Sequence, residues 1–389
     1  MDPRGPVVVV GAGTAGSVVA RTLASSCDSE IIVVEPGGQT DDDNPRFLDQ
    51  LVDATLWPGL PVPQARALGG GSAVNGMILS GAEPGWLAGL TRHARPREEG
   101  GVGRQLLRLG GRHSRMWWNN GRWNPARAML HVEEEGRLRI VRSTVERLVM
   151  RDGRATGVMT ADGGIECGHV VMCAGAVLSP RVLLASGLHG GVGQGLQNHP
   201  TVTFSVPRPD ADLGRFDACV VMDMTEGPAV GLVVAYERMS GTDASSGMVT
   251  LSLLNPVSRG AVTADEVDFA LLHADSDAAA LLALVRAFLR SAGRSGMEGL
   301  RDSRGADAMD ILSMKDGTAL EWLRGHVHAV SHATSSCASA VLPGGLLAGT
   351  ENVTVADASV LPGVPHETPA ASVTIMARRI AAALGEDLP

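Results

Sequence analysis

Three histidines fall close together near the end of the chain, His326, His328 and His332, in HVHAVSHATSSCASAVL. An imidazole titrates near neutral pH, so one of them could take a proton from a reacting group. His326 and His328 also read simply as residues that cap or solvate a strand. Other chemistries have less to stand on. Lys315 is the only lysine, which leaves little room for Schiff-base catalysis. Cys27, Cys167, Cys173, Cys219 and Cys337 are odd in number and show no C-x-x-C spacing, so they read as reduced thiols in a cytoplasm. No zinc-ligand spacing is present, and no metal site is expected.

A second group of residues is suited to binding rather than reaction. Gly11, Gly13 and Gly16 stand in G-x-G-x-x-G spacing, with Thr14 and Ala15 between the last two. Such glycines allow a tight turn, close approach of backbone to a pyrophosphate, and close packing of helix on strand. The elements that must position them can be read on either side. Val7 to Val10 is a strand buried on both faces, as in a parallel sheet. Ser17 to Ala24 carries a helical pattern, whose N-terminus offers free N–H groups to phosphate. Ile31 to Val34 is a second strand, ending on Glu35. That acid sits where it would accept hydrogen bonds from both ribose hydroxyls of an adenosine, and it would repel a 2′-phosphate, which disfavours NADP.

Further along, Gly69 to Gly71 make a glycine run followed by Ser72, read as an N-cap. Asn75 and Gly76 lie in an apolar neighbourhood, unlike an ordinary loop tip. This is a second place where backbone amides could meet phosphate or a flavin edge. Residues 86–130, rich in Trp, Arg and Gly, read as an irregular excursion. From Leu138 strands alternate with turns at Asp152-Gly153 and Asp162-Gly163-Gly164, suggesting a β-meander. Strand-like runs follow at 202–206, 219–224, 230–236 and 248–254, and an apolar-faced helix at 278–289.

The bulk composition excludes several classes. The 389 residues are 44% hydrophobic and 19% charged, as in a globular protein with ample core. A net charge of −9 and a single tyrosine argue against nucleic-acid binding. No apolar run reaches membrane-spanning length, and Val7 to Val10 is too short for a signal peptide, so a cytoplasmic location is expected.

The separated motifs together resemble the glucose–methanol–choline (GMC) family of FAD oxidoreductases. RALGGGSAVNGMI at 66–78 is similar to that family's first signature, with Arg66 for lysine and Gly71 for serine. AGAVLSPRVLLASG at 174–187, GVGQGLQNHP at 191–200 and LLNPVSRGAV at 253–262 resemble its middle segments, with Asn198 for the usual aspartate. SHATSSCAS is a loose match to its histidine motif. ENVTVADASVLPGVPHETPAASVTIMARRIAAAL at 351–384 is a tighter match to its closing segment. The resemblance implies an α/β fold: a Rossmann-like FAD domain from 1–90, 130–205 and 320–389, a lid at 91–129, and an α+β substrate domain on an antiparallel sheet at 206–319. Family chains are usually longer, and the missing length falls in the lid and the substrate domain.

The same resemblance implies site roles. Gly69, Gly70, Gly71 and Ser72 would contact the FAD pyrophosphate, with Asn75 and Gly76 beside the flavin. The Val145 backbone would read the adenine edge, and Gly175, Asp357 and Ala358 would lie along the cofactor. Val74 occupies the position where some members attach FAD through histidine, so FAD is expected to be non-covalent. His332 would be the general base in oxidation of an alcohol to an aldehyde or ketone, and His199 structural. Thr368 stands where the family keeps a second catalytic histidine or asparagine, with His366 two residues earlier as an alternative. Pro369 would start a helix whose positive end faces the flavin. The partner would be a small-molecule alcohol, with oxygen or another carrier as electron acceptor. An FAD-containing lyase of the same fold and a catalytically silent flavin protein are the alternatives.

Overall fold

The computed structural model describes residues 5–52, 55–80, 92–93, 98–207, 214–238 and 246–388. Its centre is a five-stranded parallel sheet in the order Val353–Val355, His169–Met172, Val7–Val10, Ile31–Val34, Arg139–Val141. The four valines are buried throughout, as their unbroken apolar run requires of a strand covered on both faces. The first helix, Thr14–Leu23, lies against the last, Ala370–Asp387. Small buried residues, among them Ala20, Ala377 and Ala381, line this contact region. Gly16 shows how tight the first turn is: a Cβ there would lie 1.9 Å from the Gly11 carbonyl oxygen.

The expected meander forms from Val145–Arg151, Arg154–Thr160 and Gly163–Glu166. Asp152 and Gly153 both take positive φ, 50° and 78°, the geometry of a tight hairpin turn. Arg139–Val141 does not join this meander but closes the edge of the parallel sheet.

A second five-stranded sheet is antiparallel throughout, in the order Thr201–Pro207, Ser246–Leu253, Ala229–Tyr236, Ala218–Glu226, Arg112–His113. Alternation sorts its side chains. Val202, Phe204, Val233, Val249 and Leu251 join the core that includes the helix Asp275–Arg294. Leu232, Val234, Tyr236, Thr250 and Ser252 face the opposite way, toward the cavity described below.

The segment expected to be irregular is partly helical, at Gly101–Arg108 and Pro125–Glu134. The reason is tertiary. The buried Glu237 carboxylate accepts the N–H groups of Gly100, Val102 and Gly103 at 2.9, 3.1 and 2.8 Å, satisfying the start of a glycine-rich helix. Asn124 caps the other through Ala126 N–H at 3.0 Å. Residues 81–91 and 94–97 lie outside the described residues. Among the described residues, no helix is long and apolar enough to cross a membrane, and no cluster of ligating side chains could hold a metal.

Candidate active site

One cavity of about 770 Å³ runs from the glycine turn of the parallel sheet to the antiparallel sheet. At the first end, Gly11, Gly13, Thr14 and Ala15 line it. Gly70 backs closely onto this turn, since a Cβ on Gly70 would fall 2.7 Å from Gly13 Cα. The Glu35 carboxylate is buried and accepts the Ala12 and Gly37 N–H groups at 3.0 and 2.8 Å. Burial raises its pKa, against the smaller pull of those two amides. Each carboxylate oxygen retains a lone pair for a further donor.

Val145, Gly175, Asp357 and Ala358 continue the wall. Asp357 fixes this section by accepting from Gly175 N–H at 2.8 Å and Ser179 Oγ at 2.5 Å. Gly175 holds φ +85°, and a Cβ added there or at Gly71 would meet nothing within 4 Å, so both open on free space. Pro369 caps the last helix, whose first turn borders the cavity through Ala370 and Val373.

Gly71, Ser72, Asn75 and Gly76 form the middle of the wall. Ser72 is not the N-cap expected. Gly70 holds that position, and the Ser72 hydroxyl donates back to the Gly69 carbonyl at 2.6 Å. Asn75 is oriented by two donors: its Oδ1 accepts from Met77 N–H at 2.9 Å and from Arg122 Nη1 at 3.4 Å. Arg122 is completely buried and also donates to the Asn75 carbonyl at 2.6 Å. Burial lowers its pKa to about 10, opposed by Asp42 and Asp217. With Oδ1 so engaged, the Asn75 amide is left to present N–H donors.

At the far end, His332 is half-buried on the cavity wall. Desolvation by the surrounding protein pushes its pKa down to about 4. Its Nδ1 lies 2.9 Å from Nδ1 of His199, a pairing that sequence reasoning missed although it singled out both residues. Residues 197–201 run antiparallel to 328–334 through bridges at Gln197 with Thr334 and Thr201 with His328. Asn198 locks the crossing, donating to the Val330 carbonyl at 2.7 Å and accepting its N–H at 3.3 Å. An amide can do both, whereas an ionised aspartate could only accept.

Three expected site residues are not on the wall. Gly16 packs the turn from behind. Gly69 sits with φ +88° against Asn124 and donates to the Ala12 carbonyl at 2.8 Å. His366 is exposed and outside the cavity, near enough to His199 to disfavour its protonation. Thr368 does line the cavity, but its hydroxyl donates to the Ile78 carbonyl at 3.0 Å and accepts from Ser80 Oγ at 3.1 Å. Its one proton is therefore committed to the backbone, and the hydroxyl has no second proton to donate to a substrate.

A long cavity with a glycine-built cradle, a buried carboxylate at one end and a histidine at the other suits an extended dinucleotide with its reactive ring toward the histidine. Comparisons with known proteins bear on the family and the fold. The sequence profiles of the GMC oxidoreductase family match residues 100–201 and 245–377. The 5-(hydroxymethyl)furfural oxidase of Methylovorus sp. (strain MP688) is 24% identical over 97% of this chain and 98% of its own length. An uncharacterised GMC-type oxidoreductase from the thcA 5′ region of Rhodococcus erythropolis is 26% identical over 73% of this chain, a match spanning 62% of the Rhodococcus protein. Pyridoxine 4-oxidase from Mesorbium loti superposes with TM-score 0.83 at 18% identity, covering 98% of this chain and 99% of that one. Formate oxidase from Aspergillus oryzae RIB40 does so with TM-score 0.82 at 16% identity, covering 99% of each. With both halves of its profile matched along more than half of the sequence, the chain belongs to the GMC oxidoreductase family.

Proposed function

We propose that this protein oxidises an uncharged, largely apolar alcohol to an aldehyde or ketone, using non-covalently held FAD and His332 as general base. The observation that carries the reading is the continuity of one cavity from Glu35 and the glycine turn to His332. FAD, when bound, supplies the two-electron acceptor. Glu35 would hold the adenosine ribose, the 11–16 and 69–72 turns the pyrophosphate, and the first turn of the last helix would set a positive dipole end beside the ring. Val74 lines the cavity with no nucleophile, so the cofactor should leave on denaturation. In this reading 1–90, 130–205 and 320–389 make the FAD domain, 91–129 a lid and 206–319 the substrate side.

His332 is held neutral by burial and can therefore accept the hydroxyl proton as hydride leaves the alcohol carbon. The substrate side supports an apolar alcohol. Phe47, Leu232, Val234 and Leu254 line it and form one hydrophobic cluster. The nearby hydroxyls are satisfied among themselves: Tyr236 pairs with Thr250, and Ser252 with Thr201 at 2.8 Å. A charged alcohol would lose hydration there without a described counter-charge.

Anaerobic mixing of the yellow protein with benzyl alcohol, choline and glycolate tests this. Bleaching of the flavin by benzyl alcohol, far faster than by the charged pair, is expected. Bleaching by a charged alcohol alone would refute the substrate class. No bleaching by any alcohol would favour a catalytically silent flavin protein, the second reading to which the committed Thr368 proton lends support.

A further inference from the structure

We propose that His199 is a positioning residue that holds His332 in the tautomer carrying its proton on Nδ1, so that a bare Nε2 is offered to the cavity. This deepens the reading of His332 as the base and rests on it.

The Pro365 carbonyl oxygen has no proton to give, so His199 Nε2, 2.9 Å away, is the donor of that bond. The His199 ring is completely buried. Desolvation first, then the adjacent His332, drive its pKa well below the ordinary value, outweighing the pull of the Pro365 and Leu254 carbonyls. His199 is therefore neutral, its single proton is on Nε2, and its Nδ1 carries a lone pair. That lone pair faces His332 Nδ1 at 2.9 Å. Two lone pairs cannot share such a contact, so His332 Nδ1 donates. A neutral His332 has no second proton, and its Nε2 is left as an acceptor.

The surrounding geometry fits this assignment. The two rings meet at 88° with centroids 5.1 Å apart, an edge-on approach rather than a stack. His332 borders the cavity, and among the described residues no hydrogen bond engages its Nε2. The Asn198–Val330 bonds and the flanking bridges hold the two segments in register, so the ring pair does not depend on side-chain rotamers alone. A free imidazole prefers its proton on Nε2, which would present a donor to the alcohol where an acceptor is needed. His199 reverses that preference through a chain of Pro365 carbonyl, His199 and His332, because the bond made by one ring nitrogen sets which of the two carries the proton.

The test is the ring ¹⁵N spectrum of the FAD-loaded protein with labelled histidine at neutral pH, the His332 signals being identified by their loss in His332→Ala. A pyrrole-type Nδ1 and pyridine-type Nε2 are expected for His332. The opposite pattern in the wild-type protein would overturn the proposal whatever any variant does. His199→Phe, which keeps a ring but no lone pair, should move the proton toward Nε2 and slow flavin reduction by on the order of a hundred-fold to ten-thousand-fold, the range that general-base catalysis contributes, with a wrong tautomer at its upper end. KM should change little. His199→Gln, whose carboxamide oxygen can accept from Nδ1–H, should restore much of the rate. An unchanged tautomer in folded His199→Phe would also refute the role. The expected spectrum with no reduction by any alcohol would instead refute the base reading and spare the tautomer.

Discussion

The two ends of the cavity are built by different means. At the Glu35 end the wall is mainly backbone: glycines whose missing Cβ atoms allow close approach, and amides that hold one carboxylate. At the His332 end the wall is side chains drawn from distant segments, with His199 and His332 separated by 133 residues. A backbone-built site tolerates little change in its own turn, because a new atom collides with peptide groups that cannot rotate away. A side-chain-built site tolerates change in shape but loses chemistry when one group is removed.

The sharpest way to break this contrast is inside the first turn. Gly16→Ala should destabilise the protein by about 3 kcal/mol or more, because its Cβ meets the Gly11 carbonyl at 1.9 Å, beyond ordinary overpacking. Gly13→Ala is the control. Its nearest neighbour is Gly70 Cα at 3.8 Å, so the chain should fold, yet retain FAD poorly if phosphate passes there. Melting curves and bound-flavin absorbance separate the two, and equal stability of the pair would contradict the backbone account.

His332→Ala should do the reverse, keeping FAD while slowing flavin reduction on the order of a hundred-fold to ten-thousand-fold. In the wild type, the base is competent only when neutral. Reduction should be flat across neutral pH and fall as pH drops through about 4, where His332 gains a proton. Stopped-flow reduction against pH checks both statements, and FAD loss in parallel with activity would mark His332 as structural.

The smallest effect belongs to the middle of the wall. In Asn75→Asp the new carboxylate can still accept from Met77 N–H and Arg122, but it offers no donor to the cavity. FAD affinity should weaken about ten-fold, equivalent to roughly 1.4 kcal/mol, while the FAD-free protein keeps or gains stability. Titration of the FAD-free protein with FAD measures this. Unchanged affinity would mean that the amide faces no acceptor.

The sequence by itself determined the strand, turn and helix around Gly11, Gly13 and Gly16, because a tight turn and close backbone approach leave a local mark in residue type. Strand-like runs at 202–206, 219–224, 230–236 and 248–254 likewise marked strands, which form at 201–207, 218–226, 229–236 and 246–253. What only the tertiary structure decided are the partners. Nothing near Gly101 announces that Glu237 will cap a helix there. Nothing near Thr368 announces that Ile78 will take its proton. His199 could be read as structural from its own segment, and its bond to His332 exists only because Asn198 and Val330 bring two remote strands together. Hydrogen-bond direction is a property of pairs, and a pair separated by a hundred residues or more leaves no spacing to read.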